Sequence, residues 1–174
     1  MAVPRALANQ RQKMKKLGEL LVQEGVVSEE DVRLAIDEQK KNGGQIGEIL
    51  VSLGRMTEWD LARCLVSQLQ LPFVSVGSYE IQQEVVNLLP HAVLHQHRIV
   101  PLDIFGKTLV LATAGGIAQE TLEEIELSTQ LDVMLYIATA TDIQRTLQER
   151  FPLEKLTDAV TAQFDKLYAD DPTS

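Results

Sequence analysis

Several groups of residues have types and spacings that could carry chemistry. Gly106-Lys107-Thr108 matches the end of a phosphate-binding loop, GxxxxGK[ST]. That motif needs a glycine five residues earlier, where Pro101 stands, and a strand running into a helix. The surrounding residues predict a strand–turn–strand hairpin instead. His91, His95 and His97 give an i, i+4 pair with a neighbour, a spacing that suits zinc. No carboxylate or cysteine stands close by in the sequence, and Pro90 immediately precedes the pair, so histidines in structural roles are expected. The Glu123-Glu124 pair is predicted to face solvent from a helix. No nucleophile–base pattern is present, so the chain is read as non-enzymatic, with no catalytic residues, metal site or cofactor. Two pairs are harder to explain by structure alone. Gly18 and Gly47 sit in the opening turn of predicted helices, where glycine costs about 1 kcal/mol against alanine but lets another backbone or a phosphate approach closely. Gln39 and Gln68 end helices on the apolar face, where an amide can offer both a donor and an acceptor to a base edge.

These pairs belong to a stretch written twice. KLGELLVQEGVVSEEDVRLAIDEQ (residues 16–39) is followed, after the spacer KKNGG, by QIGEILVSLGRMTEWDLARCLVSQ (residues 45–68). Each copy has 24 residues and aligns without gaps at a period of 29, with eight identical positions including both glycine pairs (18/47 and 25/54) and the glutamine pair. Such a repeat predicts two equivalent units packed together, and a site built by both suits a ligand with two similar halves. In each copy the second glycine, Gly25 or Gly54, is placed as a left-handed helix cap. Ser28 or Thr57 then caps a second helix with acids in its first turn. Val32, Ala35, Ile36 and Gln39, and likewise Leu61, Cys64, Leu65 and Gln68, fall on one face at helical spacing. The expected result is four helices in two hairpins, the first helix starting near residue 11.

After Pro72 the pattern changes. Residues 71–74 read as a short extended segment, 82–89 and 91–97 as helices divided by Pro90, and 99–105 and 108–113 as strands joined by a tight turn. Residues 119–128 read as a helix and 133–138 as a strand. A further helix, capped at Thr141-Asp142, reaches Phe151. The fold class is therefore α+β: an N-terminal four-helix repeat, then a small α/β sandwich with a three- to four-stranded sheet, then a C-terminal amphipathic helix. The expected units are 11–70, 71–151 and 152–174. In the last, Leu153, Leu156, Val160, Phe164 and Leu167 form a narrow seam over 153–167, suited to a partner or to self-association.

The net charge of −9 argues against a nucleic-acid binder held by phosphate contacts. Arg5, Arg11, Lys13, Lys15 and Lys16 nevertheless make the start of the chain basic. The single cysteine, Cys64, on an apolar helix position, fits core packing in a reducing compartment. No apolar run approaches the length of a membrane span and no signal-peptide pattern opens the chain, so a cytoplasmic location is expected.

The doubled stretch resembles the motif RLGxxLxxxGxIxxxxLxxxLxxQ, present twice with a five-residue spacer in the MshEN domain. That domain is the N-terminal region of type II secretion and type IV pilus assembly ATPases of the GspE/PilB/MshE group. The resemblance extends through the later segment from HAVLHQHRIVPLDIF to TATDIQRTLQERF. It implies a site for cyclic di-GMP, one motif per half of the ligand. Carried over by position, the implied ligand-binding residues are Lys16, Leu17, Gly18, Val32, Ile36 and Gln39 in the first copy. In the second they are Gln45, Ile46, Gly47, Leu61, Leu65 and Gln68. Lys16 and Gln45 stand where the family has arginine; lysine loses the planar fork of arginine, and glutamine loses the charge as well. The resemblance implies a free-standing regulatory module, without the motor, that signals to a protein of a secretion, pilus or polysaccharide machinery. The competing expectation is a docking adaptor whose nucleotide site no longer binds.

Overall fold

A computed structural model of the chain describes residues 17–153. Its first half is four helices: α1 (Leu17–Gln23), α2 (Glu29–Asn42), α3 (Ile46–Ser52) and α4 (Glu58–Leu69). They form because each copy carries the same start and stop devices. Ser28 caps α2 and Thr57 caps α4, each in a reciprocal capping box with the acid three residues on, Asp31 or Asp60. Gly25 and Gly54 reverse the chain between the helices of each hairpin at φ +71° and +70°, where a side chain would be strained. Gly43, at φ +74°, ends α2.

The four helices enclose one apolar core, built from Leu17, Leu21, Val27, Ala35, Ile49, Leu50, Met56, Leu61, Cys64 and Leu65 among others. Helix α3 packs against α1, α2 and α4, so the two hairpins interlock rather than lie side by side. The Arg55–Asp31 ion pair, 3.3 Å, ties the turn of the second hairpin to the cap of the first. The Cys64 thiol donates to Glu24 at 3.3 Å. Burial, first, and then this carboxylate push the thiol up to about 11.

The second half contains α5 (Gln83–Val86), α6 (His91–His97), β1 (Ile99–Phe105), β2 (Thr108–Thr113), α7 (Gln119–Thr129), β3 (Asp132–Ile137) and α8 (Ala140–Arg150), preceded by a 3₁₀ turn at Val76–Ser78. The sheet has the order β1-β2-β3, antiparallel between β1 and β2 and parallel between β2 and β3. The parallel pair needs the α7 crossover. Both predicted hairpin strands are found with their predicted bounds, and Gly106 turns between them at φ +62°. Gly106-Lys107-Thr108 thus lies in the expected strand–turn–strand hairpin and not in a phosphate-binding loop. Residues 71–74 run extended, as expected: Phe73 bridges Ile137 in parallel, with Val74 N–H on Ile137 O (2.9 Å) and Ile137 N–H on Pro72 O (2.8 Å).

Three local expectations are corrected. The helix predicted over 82–89 is a single turn, Gln83–Val86, with Asn87 as its C-cap. Helix α8 begins at Ala140 and is capped by Thr139, whose hydroxyl accepts from Asp142 N–H; it ends at Arg150 with Phe151 as its C-cap. Thr141 instead donates from its backbone N–H (3.1 Å) and hydroxyl (2.8 Å) to the Glu58 carboxylate, joining α8 to α4. Lys16, the helix start near residue 11 and the seam residues Leu156, Val160, Phe164 and Leu167 lie outside the described residues. Among the described residues, no helix is long and apolar enough to cross a membrane.

Candidate functional site

The doubled sequence places its paired residues in paired positions, but the two copies differ in what they leave open. Gly18 lies against Val32: a Cβ there would sit 3.0 Å from a Val32 methyl. Gly47 lies against Leu61 and Leu17, where a Cβ would sit 2.5 Å from one Leu61 methyl and 3.4 Å from a Leu17 methyl. Both glycines therefore let the first helix of a hairpin approach the second. Leu17 from copy one meets Gly47 and Leu61 from copy two, so the repeats share one interior.

Of the apolar residues singled out in the sequence, Leu17, Leu61 and Leu65 are sealed in that interior, 2%, 5% and 1% exposed. Val32 and Ile46 are half-buried and pack against it. Ile36 is 37% exposed, although its counterpart Leu65 is buried. Among these six residues, Ile36 is thus the open one, with Val32 and Ile46 partly open. Gln39 and Gln68 are both half-buried at the ends of their helices. The Gln39 amide donates to Gly44 O at 2.8 Å, across the spacer between the copies.

Gln45 does something that its place in the repeat did not suggest. Its Nε2 donates to Gly116 O (2.8 Å), and Gly116 N–H donates to its Oε1 (3.1 Å). Gly115 makes room for this: a Cβ there would collide with the Gln45 carboxamide. The opening residue of the second copy is thus pinned to the turn after β2. Next to this clasp is a cavity of about 330 Å³, between the helical repeat and the α/β unit. Its lining includes Gln45, Glu48, His97, Arg98 and residues 113–118. Arg98 ends α6 in the left-handed region, φ +51°, and its guanidinium lies 3.3 Å from the Glu48 carboxylate. Neither residue was singled out in the sequence. One signal was available for Glu48, which is identical to Glu19 at the matching repeat position.

The other candidates have structural roles. The His91 ring contacts Pro152 O (2.9 Å) and Val86 O (3.2 Å) and stands edge-on to Phe151, and His95 contacts Phe151 O (2.7 Å). These two rings anchor the end of α8, and among the described residues no group of His, Cys, Asp or Glu could hold a metal ion. Glu123 and Glu124 are exposed. Asp31 is held below the ordinary carboxylate range by hydrogen bonds from the backbone and then the side chain of Ser28. Asp60 is held down likewise by the Thr57 hydroxyl and then its N–H. Both carboxylates are thus committed to helix caps.

A model of the MshEN domain matches residues 69–156, about half of the chain. The type IV pilus assembly ATPase PilB of Myxococcus xanthus is 29% identical over 140 residues, which are 80% of this chain and 25% of that protein. PilB of Thermus thermophilus is 27% identical over 140 residues, 79% of this chain and 16% of that protein. The chain spans a quarter or less of the length of these curated relatives. A solved structure of MshE with cdg superimposes with a TM-score of 0.65 at 28% identity, covering 77% of this chain and 97% of that one. The N-terminal domain of XpsE superimposes with a TM-score of 0.67 at 20% identity, covering 78% and 94%, a likeness of fold alone.

Proposed function

The chain belongs to the MshEN domain family, and from that premise we propose that it is a non-catalytic regulatory module that binds cyclic di-GMP on its doubled helical stretch. The observation that carries this reading is the likeness to MshE, solved with cdg, over 77% of this chain. The family model alone matches about half, from residue 69 onward, so the shared fold extends into the helical repeat where the double motif lies. The division of labour is part of the proposal: residues 11–70 bind the nucleotide, and residues 71–151 present a docking surface whose state the ligand sets.

In this reading Ile36, Val32 and Ile46 cover an apolar base face, while Gln39 and Gln68 meet polar edges and a few polar groups fix orientation. Leu17, Leu61 and Leu65 form the floor beneath them, and Gly18 and Gly47 keep the helices close enough for one continuous surface. Lys16 supplies charge at the first opening position. The recipient of the signal is a protein of a secretion, pilus or exopolysaccharide machinery; of these, pilus assembly is what the PilB relatives are named for.

Isothermal titration calorimetry of the purified protein with cyclic di-GMP tests the proposal. The expected result is saturable heat, weakened by Ile36→Asp and by Gln39→Ala. Ile36 suits this test because, unlike Leu17, it is open to solvent and its substitution spares the core. A second reading has a specific observation in its favour: the Gln45 carboxamide is already committed to Gly116. In that case the chain is a docking adaptor whose nucleotide site no longer binds, and a folded sample would give no heat at high micromolar ligand.

A further inference from the structure

The second copy opens with Gln45, which carries no charge and whose carboxamide is bonded to Gly116. If the doubled stretch holds a nucleotide with two similar halves, the second half needs polar groups from elsewhere. The cavity beside Gln45 offers them. Glu48, one residue past Gly47, and Arg98, at the end of α6, line it side by side as an ion pair, with Nη1 3.3 Å from Oε1. Arg98 is the one lysine or arginine among the lining residues.

The pair is partly open to solvent, with side chains 69% and 29% exposed. An ion pair in that setting adds little to stability, so its arrangement is poorly explained as a fold-holding contact. Its chemistry is specific. A guanidinium donates two parallel hydrogen bonds to the O6 and N7 acceptors of guanine. A carboxylate accepts from N–H groups, which guanine presents next to O6, at N1 and N2. A carboxylate and a guanidinium side by side thus match the contiguous donor and acceptor edge of one guanine. Adenine presents a donor where guanine has O6 and an acceptor where guanine has N1–H, so it would leave both groups mispaired. The cavity, about 330 Å³, lies at the small end of ligand pockets, a size for one base rather than a whole dinucleotide.

We propose that Glu48 and Arg98 form a guanine-reading pair in the cavity between the two units, and that Arg98 replaces the cation missing at Gln45. This rests on the cyclic di-GMP reading above and deepens it: one half of the ligand lies on the open face of copy one, and the other is read jointly by copy two and the α/β unit.

Calorimetry on the full chain tests this with cyclic di-GMP and cyclic di-AMP, using wild type, Arg98→Asn and Glu48→Gln. Asparagine is chosen because it tolerates the left-handed backbone at that position. The pair predicts that each variant weakens cyclic di-GMP binding by roughly tenfold or more, the scale of one good bidentate base contact, and that cyclic di-AMP binds wild type at least tenfold more weakly. Circular dichroism and a thermal melt confirm folding, and if Arg98→Asn does not fold, the near-isosteric Glu48→Gln carries the test. Wild-type binding that Glu48→Gln or a folded Arg98→Asn leaves unchanged would overturn the pair but leave the cyclic di-GMP reading intact. Absence of wild-type binding would overturn both.

Discussion

Gln45 and Gly116 stand 71 residues apart in the chain and exchange two hydrogen bonds, carboxamide to backbone, at 2.8 and 3.1 Å. The clasp joins the first residue of the second repeat to the turn after β2. It is a part-buried contact in which side-chain donor and acceptor are both matched, so losing it should cost about 1–2 kcal/mol. Gly115→Ala should act through the same contact, because its Cβ would displace the Gln45 carboxamide. We therefore expect Gln45→Ala and Gly115→Ala each to lower the urea midpoint. The double variant should be little worse than the worse single one, a non-additivity expected of residues sharing one interaction. Additive losses would show that the two act separately.

The two opening glycines should respond differently to alanine. In Gly47→Ala the new methyl meets Leu61 and Leu17, both buried, and the helix-propensity gain of about 1 kcal/mol does not offset the overpacking. A net loss of about 1–2 kcal/mol is expected from those two terms. In Gly18→Ala the contact is with one methyl of half-buried Val32, so the variant should be close to neutral. Equilibrium denaturation distinguishes the two, and equal losses would contradict the asymmetry.

The two capping boxes make the helical unit sensitive to acid. Asp31 and Asp60 have folded pKa values lowered from their ordinary 3.8. A depressed carboxylate contributes stability that is fully present above its unfolded pKa and is lost as pH falls through the folded one. The effect should therefore show as pH falls below about 4. The double variant Asp31→Asn/Asp60→Asn should flatten the loss of stability in that window, as read by thermal melts at each pH. At neutral pH, Thr57→Ala alone should cost about 1 kcal/mol, the usual value of an N-cap. An unchanged acid slope in the double variant would mean that other carboxylates dominate.

Much of the fold can be read from the sequence, and the reasons are local. Ser28 and Asp31, or Thr57 and Asp60, identify a helix start three residues apart, and the repeat states the device twice. Strands β1 and β2 are apolar runs on either side of a tight Phe105-Gly106-Lys107 turn, which makes their bounds legible. The cap of α8 is ambiguous for an equally local reason: Thr139 and Thr141 both precede Asp142, and only the three-residue spacing favours Thr139 over its nearer rival. What stays hidden depends on distant contacts. Periodicity pairs Ile36 with Leu65, yet one is open and the other buried, because α4 lies against both the repeat and β3 while the outer side of α2 faces solvent. The approach of Arg98 to Glu48, and of Gly116 to Gln45, spans 50 and 71 residues and leaves no pattern in either segment.

The central claim is that cyclic di-GMP binds on the doubled helices. Its most direct test is a methyl NMR titration of the full chain with the dinucleotide. Binding there predicts saturable shift changes at the Ile36, Val32 and Ile46 methyls, while Leu127 and Met134, exposed on α7 and β3, stay in place. No change at saturating ligand, or changes confined to Leu127 and Met134, would contradict it.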